Sequence, residues 1–142
     1  MNLPTTATDN ISEVLLKIIG FTQSRQKILI QNINAMHTGG FVPKDLAVDE
    51  FSRLMEQAVS EHASSQRLLL QDGQNIKFGT GGSFEVIPVI DEQAKQLFEQ
   101  NRDEYVRCQI NKLLENSINQ RIAVEMLKQM QADGQFIGRC FN

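Results

Sequence analysis

Residues 91–133, DEQAKQLFEQNRDEYVRCQINKLLENSINQRIAVEMLKQMQAD, decide the fold, because they contain neither glycine nor proline. Apolar side chains recur through this stretch at helical spacing. They include Leu113, Leu114, Ile118, Ile122, Val124 and Leu127. Long periodic runs of this kind are typical of coiled-coil helices. The pattern predicts a C-terminal helix over 91–134, with Gly134 as its stop. A break near residues 101–103 stays open.

A second apolar stripe lies near the N-terminus. It consists of Ile11, Val14, Leu15, Ile18, Ile28, Leu29 and Ile33. Asp9 or Asn10 offers an N-cap before the stripe, and a pair of glycines follows it. The predicted N-terminal helix therefore covers 9–38, and the residues before it are expected to be loose.

Three polar side chains, Thr22, Arg25 and Asn32, fall on or beside the N-terminal stripe. Polar groups inside a helix–helix seam cost stability but fix register and partner number. The other interpretation places them at the edge of the seam, facing water. The sequence leaves both interpretations open.

The segment 39–90 is predicted to hold a turn, a short helix and a variable insert. An apolar face indicates a helix over about 48–66. Glycines then punctuate two strand-like runs, 75–78 and 83–87, which predict a small β-hairpin or a mobile insert. The predicted fold class is mainly α. It is a single domain over 1–142 whose long terminal helices pair as an antiparallel coiled coil.

The composition argues against several classes of function. The net charge is −3, which disfavours a nucleic-acid binder. Cys108 and Cys140 lie far apart with no histidine near either, so we expect no zinc site. A bridge between them is a minor alternative. No nucleophile is spaced to suit His37 or His62. We therefore expect no catalytic site, no cofactor and no metal.

Membrane insertion and cleaved secretion are also disfavoured. No apolar run approaches the roughly 18 residues of a membrane span. The first residues carry no apolar core of a cleaved secretory signal. If this protein is exported from the cytoplasm, we expect an export route that does not require a cleaved secretory signal.

The two long helices favour assembly, because a lone pair of long helices has a thin core and marginal stability. Further copies or a partner supply the missing burial. The alternative is a closed bundle in which the 48–66 helix covers the pair.

The segment Arg25–Phe41, RQKILIQNINAMHTGGF, resembles the N-terminal signature of bacterial flagellar basal-body rod proteins. That family has an Asn-Ile-Ala-Asn-like core followed by a Thr-Pro-Gly-Tyr-like turn. The matching residues here are Asn32, Ile33, Asn34, Thr38 and Gly40. Phe41 stands in place of Tyr, and Gly39 in place of Pro, which removes a rigid φ from the turn.

Two further stretches are similar to the proximal members of that family. They are Lys44-Asp45-Leu46 with the helix after it, and Glu115-Asn116-Ser117 with the helix after it. The match covers about residues 10–55 and 110–134. The short length of the chain suits the proximal members, whereas residues 66–100 match nothing in the family.

The resemblance implies a structural subunit of the rod that transmits torque from the membrane ring to the hook. It implies export through the flagellar type III apparatus and a final location in the periplasmic rod of the basal body. The implied partners are the chain itself, other rod proteins, the membrane-ring protein with its small adaptor, and the export apparatus. The alternative is a cytoplasmic helical-bundle adaptor or an export chaperone.

Overall fold

The computed structural model describes residues 3–79 and 84–141, with side chains for 9–79 and 84–133. The chain is mainly helical, as predicted. Its elements in chain order are α1 (Leu3–Asn34), β1 (Lys44–Asp45), α2 (Val48–Ser65), β2 (Ile76–Phe78), β3 (Phe84–Val86), β4 (Val89–Ile90), α3 (Glu92–Gln100) and α4 (Arg102–Phe141). Among the described residues, no helix is both long and apolar enough to span a membrane.

The N-terminal helix differs from its predicted range of 9–38 at both ends. It begins at Leu3, where Pro4 suits a first helical turn because its missing N–H has no intrahelical partner anyway. It ends at Asn34, after which the backbone bonds tighten from i→i−4 to i→i−3. The Thr38 N–H donates to the Ala35 carbonyl at 2.9 Å. Such tightening is a common way to satisfy the last carbonyls of a helix.

The C-terminal helical region is two helices. Asn101 separates them in an extended conformation (φ −154°, ψ 99°). Its side chain accepts a hydrogen bond from the Glu104 N–H at 3.1 Å, so it caps the start of α4. The predicted stop at Gly134 is wrong, because α4 continues through it to Phe141. One glycine costs a helix only about 1 kcal/mol and does not end it.

Helices α1 and α4 lie side by side, and their contacts run in opposite sequence order. Asn32 bonds to Gln109 at 3.0 Å, and the Thr22 carbonyl, ten residues earlier, accepts from Asn116, seven residues later, at 2.8 Å. Helix α2 also packs on α1. The Phe21 ring of α1 and the Phe51 ring of α2 stack with their centroids 4.0 Å apart.

Two apolar clusters form the core. The larger joins α1, α2 and the hairpin, and its buried members are Val14, Phe21, Leu46, Phe51, Leu54, Met55, Ala58 and Ile76. The smaller joins the end of α1 to α3 and α4, and its buried members are Met36, Ala94 and Tyr105. Neither cluster extends along the whole length of α1 and α4.

The predicted hairpin is present. Strands β2 and β3 pair antiparallel with Phe78 opposite Phe84, and the loop between them, residues 80–83, lies outside the described residues. A second short pair joins β1 antiparallel to β4, with Lys44 opposite Ile90. The sequence analysis did not predict this pair, which holds the segment after α1 against the start of α3.

Candidate functional site

The feature that ties α1 to α4 is a set of buried and half-buried polar residues that bond between the elements, which we name the polar latch. Its members are Thr22, Arg25, Asn32, Asp45, Asp91, Tyr105, Gln109, Lys112 and Asn116. Thr22, Arg25 and Asn32 are buried between the helices, so they belong to the seam and not to its edge.

Asn32 is the centre of the latch and is only 2% exposed. Its amide nitrogen donates to the Lys44 carbonyl at 2.7 Å and to Gln109 Oε1 at 3.0 Å. Its Oδ1 accepts from the Lys44 N–H at 3.2 Å. One side chain therefore connects α1, β1 and α4. Asn34, the other asparagine of the sequence motif, is exposed.

A group of charges continues the latch toward α3. Arg25 donates to both Asp45 carboxylate oxygens, at 2.9 and 3.0 Å. Lys112 on α4 lies 3.8 Å from Asp45 and forms an ion pair with Asp91, which caps α3 by accepting from the Ala94 N–H. Burial alone would raise the pKa of Asp91, but the hydrogen bonds from Lys112 and Ala94 and the nearby positive charges outweigh it and hold that pKa below its ordinary value.

Tyr105 and Gln109 complete the latch on α4. The Tyr105 hydroxyl donates to the Asn32 carbonyl at 2.7 Å. Burial, with the nearby Asp91 carboxylate, raises the pKa of Tyr105 to about 12, so the phenol keeps its proton. Gln109 is fully buried, and its amide nitrogen has no partner among the described residues. The sequence analysis missed both residues.

The motif turn closes between Thr38 and Phe41, whose N–H donates to the Thr38 carbonyl at 3.2 Å. Gly40 has φ +77°, which matches the third position of a type II turn. Proline is common at the second position of that turn, where this chain has Gly39. Phe41 then packs edge-on against Phe98 of α3 at 5.5 Å. The turn thus anchors the end of α1 to α3.

The predicted packing residues fall into three groups by exposure. Leu15 and Leu29 are buried. The half-buried group is Ile11, Ile18, Ile28, Ile33, Leu113, Val124 and Leu127. Ile118 is 59% exposed, and so is Leu114.

Pairing of the two apolar stripes predicts that Leu114 and Ile118 pack against α1, and within one chain this prediction is wrong. Ile122 is 52% exposed but lines a cavity beside α1. The face that α4 turns to α1 carries Tyr105, Gln109, Asn116 and Ala123. At 100° per residue, positions 114 and 118 point to the opposite side of the helix. The prediction assumed that the apolar side chains face inward, whereas α4 turns a largely polar face to α1.

Among the described residues, α4 contributes to two apolar surfaces that other elements leave uncovered. The first, which we name the outer row, is Ile110, Leu114 and Ile118, all exposed and one helical turn apart on α4. The second, which we name the groove, is a cavity of about 380 Å³ between α2 and α4 with α1 as its floor. Its apolar lining includes Leu15, Phe21, Phe51, Met55, Ile122 and Met126.

The sequence analysis expected no metal site, and the structure shows how the side chains that could bind a metal ion are arranged. Within the part of the chain that the structure describes, no cluster of three His, Cys, Asp or Glu side chains is arranged to hold a metal ion. Cys108 is half-buried, and it forms no disulfide with any of the described side chains. The Cys140 side chain, and with it the question of a Cys108–Cys140 bridge, lies outside the described side chains.

Fold and site together define a mainly helical chain in which two long helices are joined by the polar latch and an apolar row stays exposed. Comparisons with models of protein families, with curated proteins and with solved structures found no match to this chain.

Proposed function

We propose that this chain is a structural subunit of the bacterial flagellar basal-body rod, of the proximal type. It is exported by the flagellar type III apparatus and assembles through its terminal helices, so that the rod transmits torque from the membrane ring to the hook. The observation that carries the proposal is the outer row, because contiguous exposed apolar surface marks sites of protein–protein contact.

The rod assignment, within that proposal, rests on the segment Arg25–Phe41. Its motif residues Asn32, Gly40 and Phe41 each have a defined structural task, since they bind β1 and α4, form the turn and pack on α3. These residues of the motif determine how the two long helices and the turn are connected. Such a role is consistent with a subunit built from terminal helices.

We further propose that α1 and α4 pair as an antiparallel coiled coil in the assembled rod. The facing residues are spaced alternately by three and four, which is the repeat of such helices. On α1 they are Leu15, Ile18, Thr22, Arg25, Leu29, Asn32 and Met36. On α4 they are Tyr105, Gln109, Lys112, Asn116, Asn119, Ala123 and Met126.

The polar latch gives this pairing one register. A shift of one helix along the other would leave Arg25, Asn32 and Gln109 buried without their partners, and such losses cost about 1–3 kcal/mol for each group. Buried polar groups in a seam are best attested in this role. A subunit that must take one position in a lattice benefits from a fixed register.

The proposed partners are other copies, other rod proteins, the membrane-ring protein with its small adaptor, and the export apparatus. The second candidate is a cytoplasmic helical-bundle adaptor or export chaperone, which the groove supports because it could receive a helix of a client. Cell fractionation separates the two, since an adaptor stays in the cytoplasm as a discrete oligomer.

The test is swimming motility after replacement of the chromosomal gene. Leu29 is fully buried between the helices, so Leu29→Asp should abolish motility while synthesis continues. Leu127→Asp should act in the same way from α4. The matched control is Gln23→Asp, on the exposed side of α1. Normal swimming by the Leu29 variant would refute the role of the terminal helices.

A further inference from the structure

We infer that one copy of this chain seats its outer row in the groove of a second copy, so that the contact is head-to-tail and open-ended. The inference rests on the proposed function in that it assumes an assembling subunit, but it names the surfaces and predicts how copies join. The proposed occupant of the groove is therefore the α4 helix of another copy.

The two surfaces match in chemistry and size. The row offers three branched aliphatic side chains one helical turn apart. Nine of the fifteen residues that line the groove are apolar, and the polar ones are Thr22, Arg25, Ser52, Glu56, Asn116 and Asn119. A cavity of about 150 Å³ admits one benzene-sized group, so a volume of about 380 Å³ takes two to three side chains of that size. Methionine adapts to such insertions because it is flexible.

The surfaces are also distinct, and this decides the geometry of assembly. Exposed apolar side chains recur every four residues along α4, and the last two of them, Ile122 and Met126, form the α4 wall of the groove. The first three, Ile110, Leu114 and Ile118, are the row and precede the groove on the same helix. One copy therefore cannot seat its own row in its own groove. A contact between two different patches is heterologous, and it closes into a ring or continues as a helical filament.

Charge complementarity supports the same pairing. Arg121 is exposed three residues after Ile118, and Glu56 is exposed on α2 next to Met55 of the groove. Neither has an ion-pair partner within the described side chains. We align Ile118 with Met55 in the proposed contact, because this alignment would bring Arg121 of one copy near Glu56 of the other.

The experiment uses the purified full chain and measures molar mass by sedimentation velocity over a range of concentrations. The unaltered chain should form species that grow with concentration beyond a dimer. A row variant, Leu114→Asp with Ile118→Asp, should be monomeric. A groove variant, Ser52→Trp, which fills the groove from an exposed position on α2, should also be monomeric.

The decisive sample is an equal mixture of the two variants. The row variant still has a groove and the groove variant still has a row, so one contact should form and then stop, as a dimer that does not grow. Helical content by circular dichroism verifies that each variant is folded. Ile87→Asp, an exposed apolar position outside both surfaces, is the matched control and should assemble like the unaltered chain.

A charge exchange tests the orientation. Glu56→Arg and Arg121→Glu should each weaken association about 1.5- to 5-fold, as expected for an exposed ion pair, and the double variant should restore it. Weakening by both changes without restoration would overturn the proposed alignment of Ile118 with Met55.

Three outcomes overturn the head-to-tail contact: an unaltered chain that stays monomeric, a mixture that stays monomeric, or a row variant that assembles normally. None of these decides the rod assignment, which depends on motility and on the presence of the chain in basal bodies. Head-to-tail growth by a chain that is absent from basal bodies would leave the contact standing and refute the proposed function.

Discussion

Replacement of Asn32 by leucine is the sharpest test of the polar latch. Leucine has nearly the same shape but cannot form the three hydrogen bonds that the Asn32 side chain makes with Lys44 and Gln109. Each intramolecular bond contributes about 1 kcal/mol net, so the loss should be about 3 kcal/mol. For a chain of this size the loss corresponds to a melting temperature lower by roughly 6–12 °C.

The assay is urea unfolding followed by circular dichroism, with the midpoint and slope fitted for each variant. Asn34→Leu is the matched control, because Asn34 lies two residues away on the same helix and is exposed. The control should change stability by less than about 0.5 kcal/mol. If Asn32→Leu and Asn34→Leu have the same midpoint, the latch does not hold the helices together and the reasoning fails.

Three further substitutions and one pH titration test the turn and two titratable groups. Gly39→Pro should stabilise the chain by about 0.4–1 kcal/mol, because a side chain at this position contacts no other atom and proline suits the second position of a type II turn. A lower thermal midpoint would contradict the type II turn. Gly40→Ala should destabilise it by about 1–2 kcal/mol, since its φ of +77° disfavours an L residue, and an unchanged midpoint would refute that backbone strain. Because the folded pKa of Asp91 is lowered, its stabilisation should be fully present above its unfolded pKa of about 3.8 and should be lost as the pH falls through the lower folded pKa. Asp91→Asn should therefore weaken folding more at pH 7 than at pH 3, and an equal loss at both would exclude ionisation as the cause. Because the folded pKa of Tyr105 is raised to about 12, the free energy of unfolding should fall as the pH rises from 10 to 12. Tyr105 is the only tyrosine in the sequence, so the absorbance of tyrosinate reports on it alone. A titration midpoint near pH 10 would contradict its burial.

The sequence was informative about where the helices lie and poor about which faces they bury. Apolar periodicity predicted both long helices and the middle helix, since periodicity depends only on local spacing. It misassigned the inward face of α4, because Gln109 and Asn116 are buried there while Ile118 is exposed. Hydrophobic pattern cannot distinguish an apolar face that meets the same chain from one that meets water or a second copy.

The latch itself was only partly predictable. Asn32 and Arg25 stood out as polar residues on an apolar stripe, which is a signal that a sequence alone can give. Their partners could not be found in this way, because Lys44 and Gln109 lie 12 and 77 residues from Asn32, and Asp45 lies 20 residues from Arg25. Counting in sevens from Asn116 back to Gln109, and on to Ala123, would have indicated the true face of α4.

The most direct test of the central claim is the composition of flagellar basal bodies isolated from the source cells. Mass spectrometry of the purified particles should detect this chain together with the other rod proteins and the membrane-ring protein. Its amount should fall when Leu29→Asp replaces the unaltered gene. Recovery of the chain only from the cytoplasm, as a discrete dimer absent from the particles, would contradict the rod assignment and favour the adaptor or export chaperone.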